Sequence, residues 1–276
     1  MNIAVIGLGL IGASMAKTIK DKSENKIFGY DLSTDVMEKA VHENIIDGIL
    51  SENNLSECEL VIICVYPKDT IEYVENNLYN FSKDTIIVDC SGVKTDICQS
   101  LSKLCRDNKL HFVGGHPMAG LEHSGYDYSV FNLFSGASMI LCEDEYTSKK
   151  SLDFCKNFFS SLGFGKITVT NYASHDDVIA FTSQLAHVVS NAYIQSDQAK
   201  KQMGFSAGSY KDLTRVAYLN ENMWSQLFIA NKKPLIKEIR GLSKRLEIYA
   251  DLIETENAED LKELLKQGKE MKKHLG

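Results

Sequence analysis

The sequence predicts an α/β domain with a doubly wound parallel sheet over residues 1–170, followed by an all-α domain over residues 171–276. Three observations support this prediction. Short apolar runs alternate with helical patterns in the first part of the chain, which implies parallel strands joined by right-handed crossovers. A glycine-rich turn follows the first apolar run directly. Beyond Asn171, no segment has the pattern of a strand.

The elements of the α/β part follow in order along the chain. Strands are expected at Asn2–Ile6, Lys26–Tyr30, Leu60–Val65, Thr85–Val88, His111–Val113, Ala137–Cys142 and Lys166–Thr170. Helices are expected at Ala13–Lys20, Ser33–Val41 and Thr147–Leu162. Because Leu60–Val65 is entirely apolar, it is typical of a strand covered on both faces. Gly114 and Gly115 are expected to end the strand at Val113, so that the chain from there to Gly120 forms a loop.

The second part is predicted to be helical throughout. Helices are expected over Ser174–Gln195, once or twice within Asn222–Glu254, and as an exposed terminal helix over Ala258–His274. Apolar residues cover most of the first of these, so it should be deeply buried. Ser183, His187 and Asn191 nevertheless form one polar stripe on it at i, i+4 and i+8. The stripe either meets other side chains across a helix interface, which the residues alone favour, or meets the carboxylates of a ligand.

Composition and charge exclude several classes of protein. The 276 residues have a formal net charge of −7, so a general nucleic-acid-binding surface is not expected. The mean hydropathy is −0.17 and there is no long uncharged apolar run, which argues against a membrane span. Met1 to Ile11 lacks a basic leader and indicates a strand and turn, not a signal peptide. Seven cysteines without a C-x-x-C pair disfavour disulfides and zinc, fit a reducing cytoplasm, and leave no metal site expected.

The glycine-rich turn has the pattern of a dinucleotide-binding loop. Its residues are Gly7, Leu8, Gly9, Leu10, Ile11 and Gly12. Gly7 allows the tight turn, Gly9 lets the backbone approach a pyrophosphate, and Gly12 lets helix and strand pack closely. Asp31 ends the second strand about 20 residues later, where a carboxylate binds a ribose diol and repels a 2′-phosphate. The pattern predicts a Rossmann-type domain that binds NAD in preference to NADP.

Ligands bind beyond the carboxyl ends of parallel strands, which places Ser91, Lys94 and His116 on the cofactor side. His116 is of special interest because Pro117 biases it towards an extended conformation. A neutral imidazole there can accept a proton from a substrate hydroxyl. The alternative is a loop histidine bonded to the backbone, and the residues alone leave both interpretations open. Arg215 likewise either binds a substrate carboxylate or forms an ordinary ion pair.

Taken together, these residues resemble the prephenate/arogenate dehydrogenase family. The similarity extends in chain order to about residue 250 and is most specific at the segment His-Pro-Met-Ala-Gly with its following Glu and Gly. The matching positions are Gly7–Gly12, Asp31, Asp89–Lys94, His116–Gly120 with Glu122 and Gly125, His175-Asp176, Ser183, His187, Thr214-Arg215 and Met223-Trp224.

The resemblance implies oxidative decarboxylation of prephenate to 4-hydroxyphenylpyruvate with reduction of NAD, in tyrosine biosynthesis. His116 matches the catalytic histidine that takes the ring hydroxyl proton, and Arg215 matches the residue that holds a substrate carboxylate. His187 and Ser183 match substrate-side positions. The family's helical domain forms a homodimer, so a partner subunit is expected to bury much of Ser174–Gln195. No room is expected for an appended regulatory domain.

The loop after the strand that ends near Val88 departs from the family pattern. Members often have Gly-Ser-Val-Lys there, with the serine near the catalytic histidine or the substrate. This chain has Ser91-Gly92-Val93-Lys94, so the hydroxyl comes one position early. Either Ser91 acts from a shifted backbone or the contact is absent.

Three other functions compete with prephenate dehydrogenation. Arogenate differs from prephenate only by an amino group in place of a keto group, so an arogenate-preferring enzyme fits the same residues. A β-hydroxyacid dehydrogenase or imine reductase has a similar fold, but the first usually needs a lysine that Ser174–Gln195 does not contain. A non-catalytic NAD-binding regulatory protein is disfavoured by the presence of both His116 and Arg215.

Overall fold

The computed structural model describes residues 1–275. The chain divides into two compact units, Met1–Asn231 and a second unit that begins at Lys232. The first unit contains an eight-stranded sheet with helices on both faces, so the predicted fold class is confirmed. Among the helices of residues 1–275, none combines the length and the apolar character needed to cross a membrane.

The eight strands form one doubly wound sheet. They are β1 (Asn2–Ile6), β2 (Lys26–Tyr30), β3 (Gly48–Ile49), β4 (Leu60–Ile63), β5 (Ile86–Asp89), β6 (His111–Met118), β7 (Ser138–Cys142) and β8 (Lys166–Thr170). Their spatial order is β3-β2-β1-β4-β5-β6-β7-β8, and the order reverses beside β1. All neighbouring pairs are parallel except β6 and β7, which are antiparallel. The expectation of a wholly parallel sheet was therefore wrong at this one pair.

Strand β6 is much longer than predicted, and His116 lies within it. Gly114 and Gly115 do not end the strand. They lie inside it at positions where neighbouring groups leave no room for a side chain. A Cβ at Gly115 would lie 2.5 Å from the Asp89 carbonyl oxygen. Pairing with β5 ends at Gly114, and the rest of β6 pairs only with β7. Pro117 has no N–H group to donate. It is tolerated there because no strand within residues 1–275 pairs with the β5 side of β6 beyond Gly114.

Helices of the first unit cover both faces of the sheet, and the second unit consists of helices. They are α1 (Leu10–Lys22), α2 (Thr34–His42), α3 (Glu52–Leu55), α4 (Pro67–Asn76), α5 (Thr95–Asp107), α6 (Lys149–Ser161), α7 (Tyr172–Ile179), α8 (Ala186–Ile194), α9 (Gly208–Thr214), α10 (Glu221–Ala230), α11 (Lys232–Glu254) and α12 (Ala258–Leu275). The sheet is buried between two apolar clusters. Successive residues of β4 alternate between them: Leu60 and Ile62 face one cluster, and Val61 and Ile63 face the other. The prediction that this strand is covered on both faces is confirmed.

The predicted long helix is continuous from Tyr172 to Ile194, but its middle turn, Ala180–Leu185, is a π-helix. The prediction of deep burial is wrong for the single chain. Val178 and Phe181 are each 58% exposed. Apolar side chains point in all directions from this helix, and one chain covers only some of them. In the second unit α11 and α12 pack against each other, and α12 has the predicted exposed surface.

Candidate functional site

The glycine loop between β1 and α1 has the backbone geometry that a dinucleotide requires. Gly7 has φ +83°, a conformation that side chains strain. A Cβ at Gly12 would lie 1.8 Å from the Gly7 carbonyl oxygen, so only glycine allows α1 to pack here. A Cβ at Gly9 would have no neighbour within 4 Å, so this side of the loop is open. The predicted steric roles of the first and third glycines are thus confirmed.

The start of α1 and the end of β2 supply the polar groups beside this loop. Leu10 and Ile11 form the first turn of α1, and no side chain caps that helix end. Its N–H groups and the helix dipole are therefore available to an anion. The Asp31 carboxylate accepts hydrogen bonds from the backbone N–H of Leu8 at 2.7 Å and of Ser33 at 3.0 Å. The loop, the helix end and the acid together fit a dinucleotide.

His116 belongs to a row of three polar side chains from two elements. Its Nδ1 atom lies 2.9 Å from Nε2 of His175, at the start of α7. Nδ1 of His175 lies in turn 2.7 Å from Oδ1 of Asp176. His175 and Asp176 are each only 2% exposed. Of the two interpretations of His116, the backbone-bonded loop histidine is wrong, because its partner is a second histidine and it lies in a strand.

Asp176 also connects α7 to the beginning of α5. Its two carboxylate oxygens accept hydrogen bonds from the backbone N–H groups of Lys94 at 2.9 Å and Thr95 at 2.8 Å. Burial opposes ionisation of this carboxyl group, but the hydrogen bonds from His175 and Thr95 outweigh it and lower the pKa of Asp176. The acid is therefore an anion that holds two elements in register.

A buried ion pair lies beneath these residues. Lys94 is fully buried, and its ammonium group pairs with the Asp89 carboxylate at the end of β5. Asp89 also accepts hydrogen bonds from the backbone N–H of Ser91 at 3.1 Å and Gly115 at 3.2 Å, so its charge is well satisfied. The Lys94 ammonium group lies close enough to both histidines to lower their pKa values.

The charges and burial around the two histidines favour their neutral forms. Burial lowers the pKa of His116 well below its usual range, and the nearby His175 and Lys94 lower it further, against the opposing charge of Asp176. Burial also lowers the pKa of His175, although its hydrogen bond to Asp176 acts in the opposite direction. Both imidazoles are thus uncharged at neutral pH.

Ser91 and Gly92 face different groups. The Ser91 hydroxyl donates to the Val65 carbonyl oxygen at 3.3 Å and has no hydrogen bond to His116. A Cβ at Gly92 would lie 3.8 Å from Nε2 of His116 and 3.7 Å from a methyl group of Leu227 in α10. Position 92 therefore adjoins the free nitrogen of the histidine, and it carries no side chain.

The helical residues singled out from the sequence form a second group. The His187 ring packs against Trp224 at a centroid distance of 4.0 Å with the rings tilted by 31°, and its Nδ1 lies 2.8 Å from the Ser183 carbonyl oxygen. Burial lowers the pKa of His187, and the positive charge of Arg215 lowers it further. Arg215 is exposed at the end of α9 and forms no ion pair within residues 1–275. Its guanidinium group is therefore available for a carboxylate.

Asn191 and Gln184 hold this second group in place. The Asn191 amide donates to the Ala217 carbonyl oxygen at 3.1 Å and so fixes the segment that follows Arg215. The Gln184 amide donates to the Leu227 carbonyl oxygen at 3.1 Å, which fixes α10. Asn191 thus meets protein backbone, whereas the two alternatives for the stripe were side chains across a helix interface and the carboxylates of a ligand. His116 and Arg215 share no hydrogen bond. Gly92 adjoins both His116 and Leu227 of α10, and Trp224 of the same helix contacts His187, whose pKa the Arg215 charge lowers.

Sequence reasoning missed two parts of this site. The Asp89–Lys94 ion pair was not predicted, and His175 with Asp176 had no assigned role. The available signal was the position of Asp89 and Lys94 around a strand end, where polar groups converge. No signal in the sequence showed that α7 returns to β6. Across residues 1–275, no group of three His, Cys, Asp or Glu side chains could hold a metal ion.

Comparison with known proteins gave concordant results. Residues 15–168 match the family model described as "prephenate dehydrogenase, nucleotide-binding domain", and residues 171–267 match "prephenate dehydrogenase, dimerization domain". A cyclohexadienyl dehydrogenase of Zymomonas mobilis is 31% identical over 85% of this chain and 82% of its own length.

Two solved structures are also similar over nearly all of both chains. The prephenate dehydrogenase of Aquifex aeolicus, in complex with hydroxyphenyl propionate and NAD+, has a TM-score of 0.86 and 30% identity, covering 100% of this chain and 98% of its own. The arogenate dehydrogenase of Synechocystis has a TM-score of 0.85 and 27% identity, covering 100% of both chains.

Proposed function

The chain belongs to the prephenate dehydrogenase family, and we propose that it converts prephenate to 4-hydroxyphenylpyruvate by NAD-dependent oxidative decarboxylation, as a step of tyrosine biosynthesis. The observation that best supports the proposal is the environment of His116. Its imidazole is kept neutral, its Nδ1 is occupied by His175, and its other nitrogen adjoins a residue without a side chain. These are the properties of a general base poised to accept a proton.

The cofactor is NAD, held by Gly7, Gly9 and Gly12 and the first turn of α1, with Asp31 on the ribose. A carboxylate at position 31, followed by Leu32 and Ser33, offers no cation for the 2′-phosphate of NADP. When bound, NAD supplies the acceptor for the hydride that the substrate ring loses. The glycine loop positions it, and the protein's remaining task is to bind and orient the substrate and to move one proton.

The other residues act on the substrate dianion. His116 accepts the proton of the ring hydroxyl at Nε2 as hydride leaves the same carbon. Loss of carbon dioxide then leaves the ring aromatic. Arg215 binds a substrate carboxylate through two N–H groups, since no acidic residue of the described chain occupies it. His187, whose pKa the Arg215 charge lowers, and Ser183 belong to the substrate side of the same group of helical residues. Ser91 has a structural role instead, because its hydroxyl donates a hydrogen bond to the Val65 carbonyl oxygen.

A homodimer in the cytoplasm is the second part of the proposal. The exposed Val178 and Phe181 supply apolar surface that a partner subunit can cover. The family model matched by residues 171–267 is described as a dimerization domain. All seven cysteines are free thiols, in keeping with a reducing compartment. Sedimentation analysis tests the assembly: a monomer at micromolar concentration would refute it.

Arogenate is the second candidate substrate. Its support is the close likeness to an arogenate dehydrogenase and to a cyclohexadienyl dehydrogenase. Prephenate and arogenate both carry a carboxylate for Arg215 to bind and a ring hydroxyl whose proton His116 can accept. They differ in the side-chain keto or amino group.

Kinetics with prephenate and arogenate, each with NAD and NADP, test the proposal. NADH formation, followed by near-ultraviolet absorbance, is expected with prephenate and NAD, and 4-hydroxyphenylpyruvate is expected as the product. A higher kcat/KM with arogenate would replace the substrate and keep the reaction class. Tight NAD binding without NADH formation from either substrate would overturn the enzymatic function and favour a regulatory protein that binds NAD.

A further inference from the structure

We propose that His175 and Asp176 are positioning residues that select the tautomer of His116, with the proton on Nδ1 and a bare Nε2 towards the substrate. The inference rests on the proposed role of His116 as the base. It concerns two residues that bind neither substrate nor cofactor in the proposed mechanism. Both are nearly fully buried and lie on α7, whereas His116 lies on β6.

Asp176 determines which nitrogen of His175 carries a proton. Its pKa is lowered, so the carboxylate is ionised at neutral pH and can only accept hydrogen bonds. Nδ1 of His175, 2.7 Å from Oδ1, must therefore be the protonated nitrogen and donate. Since burial holds the pKa of His175 below its usual range, the ring is neutral and its Nε2 has no proton.

His175 then determines the tautomer of His116 in the same way. Its bare Nε2 lies 2.9 Å from Nδ1 of His116 and can only accept a hydrogen bond. Nδ1 of His116 must donate, and because this ring is neutral too, its Nε2 keeps a free lone pair. That lone pair lies on the side of Gly92, where a Cβ would be 3.8 Å away. The opposite tautomer would present an N–H to the substrate hydroxyl and could not act as a base.

The surrounding charges maintain this arrangement. Asp89, Lys94 and Asp176 are the charged groups that act on the histidine pair. The Lys94 ammonium disfavours protonation of either ring. A protonated His175 would present a second N–H to His116 and force the reverse tautomer. Burial, aided by the Lys94 cation, keeps both rings neutral, and the Asp176 anion orients the proton that each ring retains.

The backbone makes the arrangement rigid. Asp176 is held by the N–H groups of Lys94 and Thr95 as well as by His175, so it cannot turn away without losing two further hydrogen bonds. Asn231 from the end of α10 donates to the Asp176 carbonyl oxygen at 2.9 Å. His175 and Asp176 are therefore fixed with respect to the beginning of α5 and the end of α10, and His175 meets β6 at His116.

Replacement of His175 by glutamine and by leucine tests the inference in the full-length protein. Glutamine can donate its amide N–H to Asp176 and present its carbonyl oxygen to His116, so it preserves the orientation. Leucine has a similar size but no acceptor. We expect His175→Leu to lower kcat on the order of 10–100-fold with little change in KM for prephenate, and His175→Gln to retain most of kcat. His111→Leu, a half-buried histidine at the other end of β6, is the matched control and should leave kcat unchanged.

Nitrogen-15 NMR of the substrate-free protein observes the tautomer directly, with the His116 signals assigned by their loss in His116→Asn. We expect Nδ1 protonated and Nε2 bare in the wild type and in His175→Gln, and a mixture in His175→Leu. A wild-type proton on Nε2, or an unchanged kcat in His175→Leu, would overturn the inference. If the wild type forms no NADH but Nδ1 carries the proton, the proposed reaction fails while the tautomer assignment stands.

Discussion

The glycine loop and the His116 cluster are built in different ways. The His116 cluster consists of His116, His175 and Asp176 with the buried pair Lys94 and Asp89. Every residue of the loop lies in one β-α-β segment, with Asp31 bonded to Leu8 only 23 positions away. The cluster joins residues far apart in the chain: His116 and His175 are separated by 59 positions, and Lys94 and Asp176 by 82. The comparison teaches that spacing along the chain can predict the first site. The second exists only when β6, α5 and α7 meet.

The two sites also differ in what fails when a residue changes. The loop depends on backbone geometry, so a single added carbon is decisive there. The cluster depends on the protonation and orientation of side chains, so its residues can be replaced with little change in volume but a large change in chemistry. The following four changes test these two kinds of dependence and the roles proposed for Arg215 and Ser91.

Replacement of His116 has the largest expected effect. His116→Asn should lower kcat by about 10²–10⁴-fold, because the proposed general base is lost while the strand pairing with β7 is kept. KM should change little, and NAD binding, measured by fluorescence titration, should remain. An unchanged kcat would remove His116 from the mechanism and leave the cluster without a catalytic purpose.

Replacement of Arg215 should affect binding more than turnover. Arg215→Gln should raise KM for prephenate by about 10–150-fold, the equivalent of losing roughly 1.5–3 kcal/mol of charge-assisted hydrogen bonding. Lys211→Gln, one turn earlier on α9, is the matched control for loss of a positive charge. If steady-state kinetics show equal effects for the two variants, the carboxylate is held elsewhere.

An alanine at Gly12 tests the loop's dependence on backbone packing. Gly12→Ala should lower the free energy of unfolding by about 1–3 kcal/mol, because its Cβ would lie 1.8 Å from the Gly7 carbonyl oxygen. Gly9→Ala, with no neighbour within 4 Å, should leave thermal unfolding unchanged and weaken NAD binding alone. Equal destabilisation of both variants in thermal melts would contradict this division of roles.

The smallest effect is expected at Ser91. Ser91→Ala should lower the free energy of unfolding by about 0.5–1.5 kcal/mol through loss of its hydrogen bond to Val65, and leave kcat close to the wild-type value. Urea denaturation and steady-state kinetics measure the two quantities. A large fall in kcat would show that Ser91 reaches His116 or the substrate after all, and would make this loop part of the catalytic cluster.

Local patterns predicted much of the α/β part because each depends on neighbours in the chain. The bounds of β1, β2 and β8 are as predicted, since an apolar run between polar residues forms a buried strand wherever the sheet places it. The run at His111–Val113 was misjudged because its glycines have a tertiary purpose. They make room for Asp89 and Cys98 on adjacent elements, which no local pattern reveals.

By itself, the sequence determined seven of the eight strands in their order along the chain, the dinucleotide loop and the identity of the residues proposed for acid–base chemistry. These follow from periodicity and from the conformational freedom of glycine, which are properties of a few consecutive residues. The sequence did not predict β3, α3, α4 or α5. Only the tertiary structure decided that β6 runs antiparallel to β7, that Gly92 adjoins His116 while the Ser91 hydroxyl bonds to Val65, and that His175 contacts His116. Those relations depend on strand register and on where α7 returns to the sheet, because hydrogen bonds between distant residues form only after packing has brought them within 3 Å or so.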